Sequence, residues 1–196
     1  MVLGVTGPFA SGKSLLASYF RKRGFRVIDV DSVGHAVLKR GTVRAALRKV
    51  FGPRVLLADG NVDRTLLGRF VFNDPWMLKK LDSIVHPVMR DDIRRSIGRG
   101  KADILIDAAL LFEMNLDRLC DRVILVTAPL KMILARGKRR NGFDASRIRS
   151  IIRSQLPAAV KRRKADLVIR NNSTQSDFKA KAARAWLTLV PGKARR

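Results

Sequence analysis

Eight residues near the N-terminus carry the most specific chemistry in the sequence: Gly7, Pro8, Phe9, Ala10, Ser11, Gly12, Lys13 and Ser14. They fit G-x-x-x-x-G-K-[ST], the spacing of a loop whose backbone N–H groups surround anionic phosphate oxygens. In such a loop the lysine reaches the β- and γ-phosphates of a nucleotide, and the hydroxyl after it is a ligand for Mg²⁺. All eight are therefore candidate phosphate-binding residues, with Lys13 also catalytic and Ser14 also metal-binding. The competing reading is a glycine-rich turn with Lys13 solvated. Pro8 contributes no N–H, so the cradle is tighter or re-aimed relative to a glycine-rich one.

The motif needs a strand before it and a helix after it, and the sequence supplies both. Met1 to Thr6 is a short apolar run that reads as a buried strand. Leu15, Leu16, Tyr19 and Phe20 recur at the spacing of one buried helical stripe. Loop amides and helix N-terminus then converge on one anion site.

Composition narrows the class. The chain has 196 residues, of which 46% are hydrophobic, enough for a full core. No apolar run approaches a membrane span, and the N-terminus lacks the basic region of a signal peptide. A single cysteine, Cys120, excludes an internal disulfide and suits a reducing compartment; its apolar surroundings predict burial. Lys and Arg number 41 against 16 acids, a net charge of +25, and Glu113 is the only glutamate. That field attracts polyanions from nucleotides to nucleic acid. The basic residues run along the whole chain, so weak non-specific nucleic-acid adhesion is expected and a specific nucleic-acid partner is not.

Along the chain, Arg26 to Asp29 reads as a second strand with Asp31 just beyond its carboxyl end, where open α/β sheets bind ligands. Asp31 there is a candidate base for an attacking hydroxyl; Asp31 or Ser32 as a helix cap is the alternative, and spacing leaves both open. Residues 42–99 are helical in pattern. Asp59-Gly60 marks a turn, Asp63 a cap, and Asn73-Asp74-Pro75 a helix start. The stripe Trp76, Leu78, Leu81, Ile84 and Val85 is expected to be buried, and His86-Pro87 to end or kink that helix. Ala102 to Asp107 is a strand ending in aspartate, which makes Asp107 a candidate Mg²⁺ ligand or a strand-end cap.

Arg122 to Val126 is a further strand, followed by a helix that places Arg136 and Arg140 four residues apart on one face. Seven basic residues fall between 136 and 153, and Asn141-Gly142 and Asp144 supply a turn and a cap. This reads as a basic lid over transferring phosphate, with a solvated face as the alternative. A basic cluster at residues 161–164, a last strand at 166–169, the Asn171 loop and a helix at 177–189 complete the pattern, with a basic tail from Pro191.

These motifs in their order resemble the dephospho-CoA kinase family. The resemblance rests on the GKS loop, I-D-V-D around Asp31, L-A-D-G-x-V-D-R at Leu57–Arg64, and F-x-x-P-x-x-x-x-x-L at Phe72–Leu81. H-P-x-M-R at His86–Arg90, A-L-L-F-E at Ala109–Glu113, C-D-R-V-I-L-V at Cys120–Val126 and A-D-x-V-I-x-N-N at Ala165–Asn172 complete it. The resemblance implies an α/β fold: a P-loop kinase core with a five-stranded parallel sheet flanked by helices, a helical acceptor domain that binds the CoA moiety, and a helical lid. Mapped on this chain, the core takes residues 1–34, 100–135 and 159–196, the acceptor insertion 35–99, and the lid 136–158.

It further implies ATP-dependent phosphorylation of the ribose 3′-hydroxyl of dephospho-CoA, with ATP and Mg²⁺ as cofactors. Asp31 becomes the general base, and His86, Arg90, Leu110 and Leu111 join it as substrate-binding residues. Arg140, with Arg136, faces the ATP phosphates, and Asn171 lies near the adenine. A cytoplasmic monomer acting on small molecules, without a membrane, is expected. The chain departs from the family at GPFASGKS, where GGIGSGK[ST] is usual, at Ala109, where proline is common, and at Arg170, where aspartate is. Two other readings fit the loop: a kinase for a different small acceptor, and a basic nucleic-acid-stimulated NTPase.

Overall fold

Apolar β-branched runs bounded by loops form five strands, and the periodic stretches between them form nine helices among the described residues. The structure, a computed structural model, describes residues 1–72, 74–98 and 102–190. Asn73, the expected boundary between 99 and 100, and the basic tail from Pro191 lie outside them. The strands are β1 (Val2–Thr6), β2 (Arg26–Asp29), β3 (Ile104–Asp107), β4 (Arg122–Thr127) and β5 (Leu167–Arg170). The helices are α1 (Lys13–Arg21), α2 (Val30–Val37), α3 (Gly41–Phe51), α4 (Arg64–Phe72), α5 (Pro75–Gly98), α6 (Leu130–Asn141), α7 (Ala145–Arg153), α8 (Ala158–Lys164) and α9 (Gln175–Leu189).

The strands make one parallel sheet in the order β2-β3-β1-β4-β5. β1 sits at its centre, pairing Val5 with Asp107 on one side and Thr6 with Leu125 on the other. β2 and β3 lie on one side of β1 and β4 and β5 on the other, so the loop leaving β1 opens where the strand order switches sides. The chain divides into two compact units, Met1–Ile28 with Gly100–Arg196, and Asp29–Arg99.

In the first unit, Leu3 and Val5 pack with Leu16 and Phe20 of α1 and Phe178 and Trp186 of α9. Phe20, Phe25 and Trp186 meet edge to face with ring centroids 5.4–5.6 Å apart. α6 is continuous across residue 136 and ends at Gly142, whose φ of 67° closes the turn before α7. Asp144 caps α7 by accepting from Arg147 N–H, as the sequence predicts. α9 begins two residues before the expected Asp177, because Thr174 and Asp177 close a reciprocal capping box.

The helical unit has its own apolar core of Val37, Leu47, Val55, Leu67, Val85 and Ile93. Asp63 and Asp74 cap α4 and α5 through paired backbone N–H groups. Two expectations fail here. α5 continues past Pro87 to Gly98, so the proline removes one donor from the Ser83 carbonyl without ending the helix. Trp76 is 58% exposed, with the Lys80 ammonium 3.4 Å above its ring, so it is not part of the buried stripe.

Candidate active site

The phosphate loop departs from β1 at Gly7, where φ is 151° and a Cβ would lie 2.1 Å from the Val126 carbonyl oxygen. Only glycine permits that approach. Ala10 takes a left-handed φ of 55°, where a glycine would be unstrained. Gly12 is the N-cap of α1 at φ 109°, with no side-chain cap and no acid in the first turn. The helix thus presents uncapped amides and the positive end of its dipole to the loop. Lys13 folds back so that Nζ donates to the carbonyls of Gly7 (3.2 Å) and Pro8 (3.4 Å). Ser14 is exposed on the first turn.

Phe9 anchors the loop to the α6–α7 pair. It stacks on Phe143 at 5.9 Å and lies over Gly137, where a Cβ would be 2.9 Å from the ring, and Arg147 lies 4.0 Å above Phe143. Asn171, directly after β5, is only 5% exposed; its Nδ2 donates to the Ser11 carbonyl at 2.8 Å. Arg136 on α6 donates to Asn171 Oδ1 at 3.1 Å and lies 3.5 Å from the Ser11 carbonyl. Burial, together with the charge of Arg139, lowers the Arg136 pKa. A cleft of about 350 Å³ runs beside it, lined by Met132, Ala135, Arg136 and Arg139. Arg139 was not singled out by the sequence; Arg140 is exposed on the next position round the helix.

On the neighbouring strand, Asp107 stands opposite Val5 at the carboxyl end of β3. The residues after it hold a polar anchor that the sequence hid. Lys161, read as one of a basic cluster, is 1% exposed; its Nζ lies 2.9 Å from Glu113 Oε1 and 2.6 Å from the Ala109 carbonyl. Thr6 Oγ1 donates to the same carbonyl at 3.2 Å, and Glu113 also accepts from Leu156 N–H at 2.7 Å. What Ala109 supplies is its carbonyl, which proline also has, so that departure leaves the anchor intact. Leu111 is fully buried in the core and Leu110 half-buried. Cys120 donates to the Leu116 carbonyl, and burial pushes its thiol up to about 12.

In the helical unit the sequence left Asp31 open between base and cap, and the structure gives the cap to Asp29. Asp29 accepts from Asp31 N–H at 3.1 Å and from the Ser32 hydroxyl at 2.8 Å. The Asp31 carboxylate is exposed in the first turn of α2. Asp29, Asp59, Asp63, Asp74, Glu113, Asp121, Asp144, Asp166 and Asp177 accept from backbone N–H groups. Asp31 is not among them. One turn apart on α5, His86 Nε2 lies 3.3 Å from Asp82, whose pKa burial raises against the pull of His86, and Arg90 is half-buried.

A central strand, a phosphate loop at the sheet's switch point and a basic helix pair behind it define a P-loop kinase. Comparison with known proteins narrows the class. The family model for dephospho-CoA kinase matches residues 1–177. The dephospho-CoA kinase of Fusobacterium nucleatum is 34% identical over 191 residues, covering 96% of this chain and 98% of its own. A solved Thermus thermophilus structure superposes with a TM-score of 0.84 at 30% identity, over 97% of each chain. The dephospho-CoA kinase of Campylobacter jejuni does so with a TM-score of 0.71 at 25% identity, over 97% of this chain and 98% of its own. The chain belongs to the dephospho-CoA kinase family, and as a kinase it uses ATP.

Proposed function

We propose that the chain transfers the γ-phosphoryl group of ATP to the ribose 3′-hydroxyl of dephospho-CoA, giving coenzyme A and ADP. The observation that supports this most is the loop from Gly7 to Ser14, held in an anion-cradling form within a chain of this family. Gly7 to Ser14 bind the polyphosphate, Lys13 draws charge from the transferring group, and Arg136 and Arg140 add to that field. Met132 and Ala135 offer the adenine an apolar wall beside Arg136. Asp31 accepts the proton of the attacking hydroxyl; its freedom from capping supports that role. On the strength of the family resemblance, His86, Arg90 and Leu110 contact the acceptor, while Leu111 is fully buried in the core.

The donor set fits Mg²⁺. Ser14 and Asp107 offer hard oxygens, and the described residues contain no group of three or more His, Cys, Asp or Glu that would hold a metal by themselves. That suits an ion bound by one or two protein oxygens together with substrate phosphates. When bound, it neutralises charge on the phosphoryl oxygens. The reading is of a cytoplasmic monomer with a free thiol. Among the described residues no helix is long and apolar enough to cross a membrane.

The test is ADP release from Mg-ATP with dephospho-CoA, CoA, AMP, adenosine or RNA as acceptor. Turnover with dephospho-CoA alone is expected; release with RNA or another acceptor instead would overturn the reading. Asp31→Asn should lower kcat by roughly 10²–10⁴-fold while ATP affinity stays within about two-fold. A variant of full activity would remove Asp31 as the base.

A further inference from the structure

The Asn171 side chain is held by the protein's own loop backbone and by Arg136. Its Nδ2 meets the Ser11 carbonyl at 2.8 Å, and its Oδ1 meets Arg136 Nη2 at 3.1 Å. Arg136 has only donors, so it accepts just one orientation of the carboxamide, with oxygen toward itself and the NH₂ toward Ser11. The backbone is held too, with Asn171 N–H donating to Thr127 at the end of β4 at 2.7 Å. Gly12 completes the fit, since a Cβ there would fall 2.2 Å from Asn171 Nδ2. The amide thus lies flat against the loop backbone, in space that a side chain at residue 12 would fill.

The consequence follows from peptide geometry. The Ser11–Gly12 bond is trans, and in a planar trans peptide the C=O and N–H point in opposite directions. Donors that draw the Ser11 carbonyl toward Asn171 turn the Gly12 N–H away from it. A peptide flipped at this point would present a carbonyl oxygen to the phosphates in place of a donor. The loop's first half is held by a short turn, Ser11 N–H to Pro8 O at 3.2 Å, and by Lys13 Nζ on the Gly7 and Pro8 carbonyls, none of which fixes the Ser11 carbonyl.

We propose that Asn171, oriented by Arg136, is a positioning residue that locks the Ser11–Gly12 peptide so that the Gly12 N–H faces the phosphates. The role deepens the kinase reading and rests on its phosphate loop. It differs from an adenine contact in what it protects: the lock matters to any polyphosphate, with or without a base.

Binding of ADP and of inorganic pyrophosphate separates the two roles, measured by calorimetry on the full chain. Asn171→Leu keeps the branching and the number of heavy atoms, adds no charge and removes the donor. Both ligands should weaken by the same factor, about 10–100-fold for a lost bond to a buried carbonyl. The KM for ATP should rise alike, while the KM for dephospho-CoA stays within about two-fold. Loss of ADP affinity with pyrophosphate unchanged would overturn the proposal in favour of an adenine contact, and no loss of either would remove Asn171 from the site. Asn171→Ala gives the same readout if the leucine does not pack. Lys13→Ala is read in parallel. If it retains full pyrophosphate affinity, the phosphate-loop reading fails; if it loses that affinity while Asn171→Leu does not, only the lock fails.

Discussion

The two compact units hold their polar groups in opposite ways. In the sheet unit, Thr6, Ser11, Lys161 and Asn171 are buried, and the hydrogen bonds of Thr6, Lys161 and Asn171 go to the carbonyls of Ser11 and Ala109 beside the end of β1. In the helical unit the described residues include no buried polar side chain. Its ion pairs, such as Arg40 and Arg95 with Asp92, lie at the surface, and its interior is apolar. Burying a polar group is costly unless its partners are in place, so a cluster of such groups marks backbone whose position must be unique. The loop that binds phosphate through its own amides needs that precision. A helical bundle that presents side chains from its surface can rely on apolar packing.

Lys161→Met should expose this contrast most, because it leaves Glu113 without its cation in a largely buried site. A loss of about 3–5 kcal/mol in urea denaturation is expected. A loss below about 1 kcal/mol would mean that the anchor is a surface pair in disguise. Removing Glu113 as well, as Glu113→Gln, should recover part of that loss.

The matched change in the helical unit is Arg40→Ala, with an expected cost of no more than about 1 kcal/mol. Burial alone would raise the Asp92 pKa, but Arg95 and Arg40 outweigh it and hold the carboxyl below its ordinary value. The pair therefore contributes above the unfolded-state pKa of about 3.9, and the contribution fades as pH falls through the lower folded value. Stability of Arg40→Ala and the parent chain should converge in strongly acidic solution, and a difference that persists there would assign the effect to packing.

The smallest effect is expected at Ala10→Gly. Relief of the left-handed conformation gains about 1–2 kcal/mol. The freer unfolded chain gives back about 0.4–1 kcal/mol. A net stabilisation of about 0–1.6 kcal/mol, centred on about 0.8 kcal/mol, by thermal or chemical denaturation follows, and clear destabilisation would show that the loop is not strained at residue 10.

Local chemistry alone determined much of this protein. Strand, loop and helix were legible around GPFASGKS because phosphate binding by backbone amides demands glycines, a lysine and a hydroxyl at fixed spacing. The caps at Asp63, Asp74 and Asp144 were legible because a capping carboxylate acts on amides two or three residues away. Asp31 was singled out by its place after a strand, but whether it or Asp29 capped α2 depended on side-chain direction. Tertiary structure decided the rest. Lys161 sits in a run of four cations, and nothing local marks it as the buried one, since its partners lie 48 and 52 residues away in the chain. Trp76 fits an apolar period but is exposed in the folded chain, with the Lys80 ammonium over its ring. Asn171 reads as a loop residue, and only the sheet, which brings β5 within two strands of β1, sets its amide against Ser11, 160 residues earlier. Motifs are written by contacts between near neighbours, whereas burial and long-range pairing exist only once the chain has closed on itself.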